Sequence, residues 1–386
     1  MGTKQTQTVS FNGTSFKAYT YRPSGEINGV LLTFHGAGRD AALNRDVAVS
    51  LADKMGYFVV APEFSSTSFP SSEYQMGGII KDGKLIADRD DWTVSYAKDF
   101  AEWGAAKAGL DSSDDVILFG HSGGGQFLSR VAAYTAGSDD SGFDKMIIAN
   151  PSTLVWPSLT EKAPYGFGGY FSAKESEALL KDYLADPITI YLGSEDDNPN
   201  DSDLSKSSAA MRQGDDRLER GLNAYNAAKA MAESKGWDFN WELVIADGVG
   251  HSVGGMIRAP EMLDAIDTDT PAMPAPKPTP APAPEPKTYV FESLDAAKNA
   301  ATITNYRDGD RFDFSRLDAD VLQSGKQDFH FIGQKLFSRS GEEIKFVQDA
   351  DLGVTWIKGS VDYDSSAEFR IKVAGLHTFT ADDFIL

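Results

Sequence analysis

The 386-residue chain contains no cysteine, five histidines, and far fewer basic than acidic side chains, 36 against 57. Without cysteine there is no disulfide framework, no thiolate metal site and no cysteine nucleophile, so a nucleophilic side chain has to be a serine or threonine hydroxyl. The formal net charge of -21 sets up a field that repels phosphate backbones and anionic lipid, and nucleic acid is excluded as an expected partner. No run of about 18 or more apolar residues occurs, so no membrane insertion is expected. The stretch Met1-Gly2-Thr3-Lys4-Gln5-Thr6-Gln7-Thr8-Val9 lacks the apolar segment of a signal peptide. What remains, 41% hydrophobic and 11% aromatic residues, is ordinary for a globular protein and leaves room for two domains.

Strand and helix signals alternate through residues 1–269. Thr8 to Tyr21 alternates and turns at Asn12-Gly13, a hairpin pattern. Short apolar runs at Val30–Phe34, Tyr57–Pro62, Val116–Phe119, Lys145–Ala149, Ile188–Leu192 and Trp241–Ala246 read as buried strands. Helical spacing covers about Ala41–Met55, Trp92–Lys107, Phe127–Tyr134 and Asp216–Ser234, and Glu63 to Asp91 is a long loop rich in Ser, Gly and aromatics. This alternation argues an α/β domain, a mostly parallel sheet with helices on both faces. From 270 to 287 the composition changes abruptly: prolines at every second or third position, Pro271 to Pro286, alternate with Ala, Thr, Lys and Glu. Proline lacks an amide donor and has a fixed φ, so this segment is expected to be an extended linker. Residues 288–386 carry strand-like runs at Phe329–Ile332, Glu343–Val347, Val354–Ile357 and Phe369–Val373, separated by Gly and Asp turns, and read as a small β-rich domain.

The chemistry converges on Ser122. It stands between the Val116–Phe119 strand and the Phe127–Tyr134 helix, with Gly120, Gly123 and Gly124 around it, which is G-x-S-x-G in the strand–turn–helix context that motif requires. A serine hydroxyl needs a base to remove its proton. Among the histidines, His121 is on the turn itself, His35 ends an earlier strand, and His330 and His377 lie beyond the linker. His251, in the Gly-flanked loop after the last strand, is the expected base. The acid that orients it should follow a strand between the two; Gly193-Ser194-Glu195-Asp196-Asp197 offers three adjacent carboxylates, of which Asp196 is the choice and Asp197 the alternative. The remaining acids there, with Asp201 and Asp203, are expected to form a solvated acidic loop. Donors for a developing oxyanion are expected from the amide of Gly123 and from the loop His35-Gly36-Ala37-Gly38, at Ala37.

On the strength of Gly120-His121-Ser122-Gly123-Gly124, His35-Gly36-Ala37-Gly38 and the order Ser122, Asp196, His251, residues from about 5 to 268 resemble the α/β-hydrolase superfamily, and within it bacterial esterases and polyester depolymerase-like hydrolases. The resemblance implies a serine hydrolase that cleaves carboxylic esters, small or polymeric, through an acyl-enzyme, with no metal or organic cofactor. The same triad is compatible with a peptidase or an acyltransferase, and a non-catalytic polymer-binding protein is the further alternative. Between Asn150 and Pro187 an insertion with Trp156, Tyr165, Phe167, Tyr170 and Phe171 either walls an acyl pocket or forms a small core of its own.

Beyond the linker, Phe329-His330-Phe331-Ile332-Gly333, Gly341-Glu342-Glu343-Ile344-Lys345-Phe346, Phe369-Arg370-Ile371-Lys372-Val373-Ala374-Gly375 and Asp382-Asp383-Phe384-Ile385-Leu386 resemble the C-terminal domain of serralysin-type proteins exported by type I secretion systems. That resemblance implies a secreted protein with a type I exporter as partner. The calcium-binding glycine-rich nonapeptides of that group are missing, and Asp308-Gly309-Asp310 and Asp362-Tyr363-Asp364 read as turns, so calcium is not among the expectations.

Overall fold

Asn12 and Gly13 both adopt positive φ, 47° and 80°, the backbone a two-residue hairpin turn of this twist demands. They join β1 (Thr3–Phe11) to β2 (Thr14–Arg22) in a computed structural model that describes residues 2–110, 115–135, 143–268, 286–300, 302–304, 306–307, 309–338, 341–349, 353–364 and 366–386. The hairpin begins five residues earlier than its apolar alternation suggests. Pairing runs on from Thr8↔Lys17 to Thr3↔Arg22 through Gln and Thr side chains exposed on both faces, which carry no hydrophobic signal.

The chain divides into two compact units, Met1–Ala275 and Pro276–Leu386. The expected linker falls almost wholly outside the described residues. In the first unit follow β3 (Gly29–Phe34), α1 (Ala41–Met55), β4 (Tyr57–Glu63), a minimal hairpin β5 (Ile80–Lys81) and β6 (Lys84–Leu85), α2 (Tyr96–Ala108), β7 (Asp115–His121), α3 (Gly123–Thr135), β8 (Lys145–Ala149), α4 (Ala173–Ala185), β9 (Ile188–Gly193), α5 (Ser208–Met211), α6 (Arg217–Lys235), β10 (Glu242–Ala246), α7 (Val253–Arg258) and α8 (Met262–Ile266). Eight strands form one sheet in the order β1-β2-β4-β3-β7-β8-β9-β10. Pairing is antiparallel at β1–β2 and β2–β4 and parallel from β4 to β10.

Both faces of the parallel part are covered, and the pleat divides the apolar residues between them. Val30, Leu32, Phe34 and Leu118 join Phe100, Phe127, Val131, Leu180 and Ala228 of α2, α3, α4 and α6 on one side. Leu31, Ile117, Phe119 and Ile147 join Ala48, Leu51, Met256 and Ile266 of α1, α7 and α8 on the other. Each fully buried Leu, Ile or Phe contributes roughly 1.5–3 kcal/mol of transfer free energy, which makes this two-sided burial the main support of the sheet. Within the described residues, no helix is long and apolar enough to cross a membrane.

The second unit contains β11 (Thr288–Val290), α9 (Leu294–Lys298), β12 (Arg311–Asp313), β13 (His330–Phe331), β14 (Glu343–Asp349), β15 (Val354–Ser360), β16 (Phe369–Ala374) and β17 (Phe384–Ile385). The four strand-like runs of the sequence become neighbours in one sheet, β13-β14-β15-β16, while β11-β12-β17 form a second. A core of phenylalanines and aliphatics, among them Phe312, Phe314, Ile344, Ile357, Ile371 and Phe384, is buried within this unit.

Candidate active site

The β7–α3 turn carries Ser122 at φ 58°, a left-handed conformation that a non-glycine residue adopts only where its surroundings over-determine it. Those surroundings are backbone. A Cβ on Gly120 would run into the Gly124 carbonyl, and one on Gly124 into the Phe34 carbonyl of β3. With glycine at both positions α3 packs directly onto β3 and β7 and starts at Gly123, four residues before its apolar spacing becomes visible. The Ser122 amide donates to Ala149 O at 3.0 Å, which ties the turn to the end of β8.

One side chain reaches Ser122 directly, and a second stands behind it. His251, in the loop between β10 and α7, places Nε2 3.0 Å from Ser122 Oγ, and its Nδ1 lies 2.6 Å from Asp196 Oδ2. An ionised carboxylate only accepts, so Nδ1 carries the proton and Nε2 is left to accept from the hydroxyl. Asp196 is 3% exposed, whereas Asp197 and Glu195 point to solvent. Of the three histidines in the first unit, His251 is the one that meets Ser122 Oγ, and of the three adjacent carboxylates Asp196 is the one that faces the imidazole. Buried Asn150, at φ 43°, accepts from Gly193 N at 2.8 Å and reaches Gly250 O at 3.5 Å, linking the Asp196 loop to the His251 loop.

The expected solvated acidic loop is only partly so. Asp201 is bound to the buried guanidinium of Arg217, Nη1 to Oδ2 at 2.8 Å, and the same Nη1 donates to Asp196 Oδ1 at 3.2 Å. Chiefly because of the Arg217 hydrogen bond, the Asp201 carboxyl is held down at about 2. Arg217 Nε and Nη2 and His121 Nε2 are buried donors or acceptors without a hydrogen-bond partner among the described residues.

The loop after β3 lies against the elbow. A Cβ on Gly123 would stand 2.9 Å from the Ala37 amide nitrogen, and one on Gly36 would stand 3.5 Å from Ser122 Cβ. The Gly123 amide is one of the first-turn N–H groups that find no acceptor inside a helix. Gly123 and Ala37 therefore lie side by side, with Gly36 against Ser122. Apart from His35, named only as the end of its strand and the start of the loop, the residues that hold this loop carry no signal in the sequence. His35, fully buried, accepts from Phe64 N at 3.0 Å through Nε2, so its Nδ1 donates to Gly36 O at 3.0 Å. Tyr74 Oη donates to His35 O at 2.7 Å, and Arg39, at φ 61°, donates to Phe64 O at 2.9 Å with its guanidinium over the Tyr74 ring. Burial lowers the His35 imidazole to about 4, which keeps it neutral.

The aromatics of the insertion divide. Phe167 is fully buried and packs against Tyr134 and Tyr183; Phe171 packs against Tyr134 and Trp92; both belong to the core. Tyr165 lies under Arg130 and reaches Ser207. In the second unit Asp362, Asp364 and Glu368 bring carboxylate oxygens within 4.8 Å of one another. Those carboxylates accept backbone amides of Asp364 at 3.0 Å, Ser366 at 2.5 Å and Val361 at 2.7 Å, the pattern of an Asp-initiated turn.

No protein-family model matches the chain, and no curated protein matches it. Solved structures do. Poly(aspartic acid) hydrolase-1 from Sphingomonas sp. KT-1 is 30% identical over 66% of this chain and 95% of its own, with a TM-score of 0.61. LpqC, a poly(3-hydroxybutyrate) depolymerase from Bordetella parapertussis, is 30% identical over 68% of this chain and 90% of its own, also with a TM-score of 0.61.

Proposed function

Since the chain belongs, through its eight-stranded unit, to the α/β-hydrolases that include esterases and polyester depolymerases, we propose that it hydrolyses carboxylic esters through an acyl-enzyme on Ser122. The hydrogen-bonded series Ser122 Oγ, His251 Nε2, His251 Nδ1 and Asp196 Oδ2, at 3.0 and 2.6 Å, carries this reading. As Oγ attacks the ester carbonyl, its proton passes to Nε2 and Asp196 holds the resulting imidazolium. The oxyanion is received by the amides of Gly123 and Ala37. His251 then gives the proton to the departing alkoxide, and a water activated by the same nitrogen releases the acid. Each half of the reaction is a carbonyl addition followed by collapse of the tetrahedral intermediate, which breaks the C–O bond first to the alkoxide and then to Ser122 Oγ, with His251 carrying the proton.

Charge favours a neutral acyl chain. Glu195 and Asp197 flank Asp196, and Asp203 and Asp247 stand on the adjoining loops, all four exposed. A polycarboxylate of the kind cleaved by the first relative would meet this field, and the net charge of -21, at a disadvantage that a polyester of the second kind would not. Hydrolysis of p-nitrophenyl esters from acetate to palmitate by wild type and Ser122→Ala tests the reading. Loss of at least about 10⁴-fold in kcat for the variant is expected, and equal rates for the two proteins would refute it. We also propose that residues 288–386 direct export through a type I exporter, a reading supported by the resemblance of their sequence segments. Deleting residues 270–386 should then abolish secretion and leave hydrolysis of soluble esters intact, whereas selective loss of activity on insoluble polymer would assign the segment to substrate adhesion instead.

A further inference from the structure

Behind Asp196 the hydrogen-bonded chain continues into groups that the scheme above does not use. Arg217 opens α6 with its side chain 1% exposed, and one nitrogen, Nη1, serves both Asp196 Oδ1 and Asp201 Oδ2. The next residue, Leu218, donates its amide to the backbone carbonyl of Asp196 at 3.2 Å. The first turn of α6 thus grips Asp196 at main chain and side chain, while Oδ2 stays turned to His251.

A cation on the far oxygen of this aspartate creates an electrostatic conflict. Asp196 helps the reaction by offering negative charge to the imidazolium as the Ser122 proton arrives, and Asp196 with Arg217 alone sums to zero. Asp201 resolves the conflict. It is bound to the same nitrogen and remains ionised down to about 2, chiefly through that hydrogen bond. The set Asp196, Arg217 and Asp201 keeps one net negative charge.

We propose that Arg217 and Asp201 act as a pair of positioning residues for the reaction at Ser122: Arg217 fixes the orientation of Asp196, and Asp201 takes up the charge of Arg217 so that the charge of Asp196 is left for His251. This inference rests on the assignment of Ser122, His251 and Asp196 and adds two members to their chain. The other charged or titratable groups facing His251 do not duplicate the role. His121, its ring 4.7 Å away, is kept neutral chiefly by burial. Glu195, Asp197 and Asp247 on the flanking loops and Arg258 at the end of α7 are exposed and act through solvent, where salt screens them.

The rate at which a fluorophosphonate labels Ser122, measured against pH on the full chain, reads the basicity of the assembly without reference to the natural substrate. Asp201→Asn leaves Arg217 uncompensated, so the acidic limb of the profile should move to lower pH by about half a unit or more, with a lower limiting rate. Arg217→Met should move the limb to higher pH. The double variant should return it to within about 0.3 unit of wild type. Opposite signs with mutual cancellation are not expected of residues that only brace the fold. An unmoved limb in Asp201→Asn, or displacement in the same direction in both single variants, overturns the proposal. Because the Asp201 side chain is partly exposed, 24% against 1% for Arg217, its variant decides the matter even if Arg217→Met does not fold, as a circular-dichroism melt would show. Failure of wild type to label at Ser122 would instead refute the esterase reading itself.

Discussion

His121 and His251 lie with their rings 4.7 Å apart, tilted by 36°, and only the second exchanges a hydrogen bond with Ser122. His121 is buried, and burial first, then the nearby His251 and Arg217, hold it well below the ordinary imidazole range. A neutral ring beneath the base fills space without adding a positive charge that would weaken it. The two facing histidines are thereby placed differently: His121 packs, and His251 meets Ser122.

The same asymmetry between neighbours should appear at the acid. Asp196→Asn keeps the shape but offers the imidazole an amide, which permits the wrong tautomer, and kcat for a p-nitrophenyl ester should fall by about 10⁴. Asp197→Asn, one residue on and solvent-facing, should stay within about threefold of wild type. Steady-state kinetics on both variants checks this, and a comparable loss in Asp197→Asn would reverse the assignment.

The Ala37 amide can be removed without touching a side chain that reacts. Ala37→Pro deletes the N–H, and Gly36 before it tolerates the extended backbone a following proline requires. We expect kcat to drop by about 10²–10³, with little change in KM, whereas Ala37→Gly, which keeps the donor, should remain near wild type. Measuring kcat and KM separately distinguishes a transition-state donor from a ground-state contact.

His35 ties stability to pH. Its imidazole titrates at about 4 in the folded chain against 6.5 in the unfolded one, so between those values the unfolded state binds more protons. Its contribution is complete above about 6.5 and is lost as pH falls towards 4, amounting to roughly 3 kcal/mol. His35→Gln can still accept from Phe64 N but cannot charge. Urea unfolding at pH 7 and at pH 4 should show a smaller acid loss in the variant than in wild type by about that amount, and an identical loss would show that His35 does not control it.

Much of the first unit was legible because its strands are buried on both faces and its helices carry apolar stripes. The bounds of α1 and the Asn12-Gly13 turn follow from local pattern alone. Arg217 did not follow, since an arginine at the first turn of a polar helix reads as solvated, and only the return of the Asp196–Asp201 loop over α6 buries it. Tyr74 and the bracing role of His35 escaped for the same reason: their partners, His35 O and Phe64 N, are backbone groups 39 and 29 residues away. α4 was hidden inside the aromatic insertion although Ser172, which caps the Glu175 amide, with Glu175 itself three residues on, is a helix-start signature.

Phe167 discriminates core from pocket wall. Phe167→Ala should destabilise the first unit by about 3–5 kcal/mol and leave the ranking of acyl chain lengths unchanged. A shifted chain-length profile at unaltered stability would restore the pocket-wall alternative.

Ser122 and His251 are separated by 129 residues, and Asp196 and His251 by 55. A contact of that separation closes a long loop and so forms late on the way to the native state. On the proposed mechanism the chain would therefore be inert while unfolded, and activity would await the docking of the β10–α7 loop that carries His251 against the Ser122 turn.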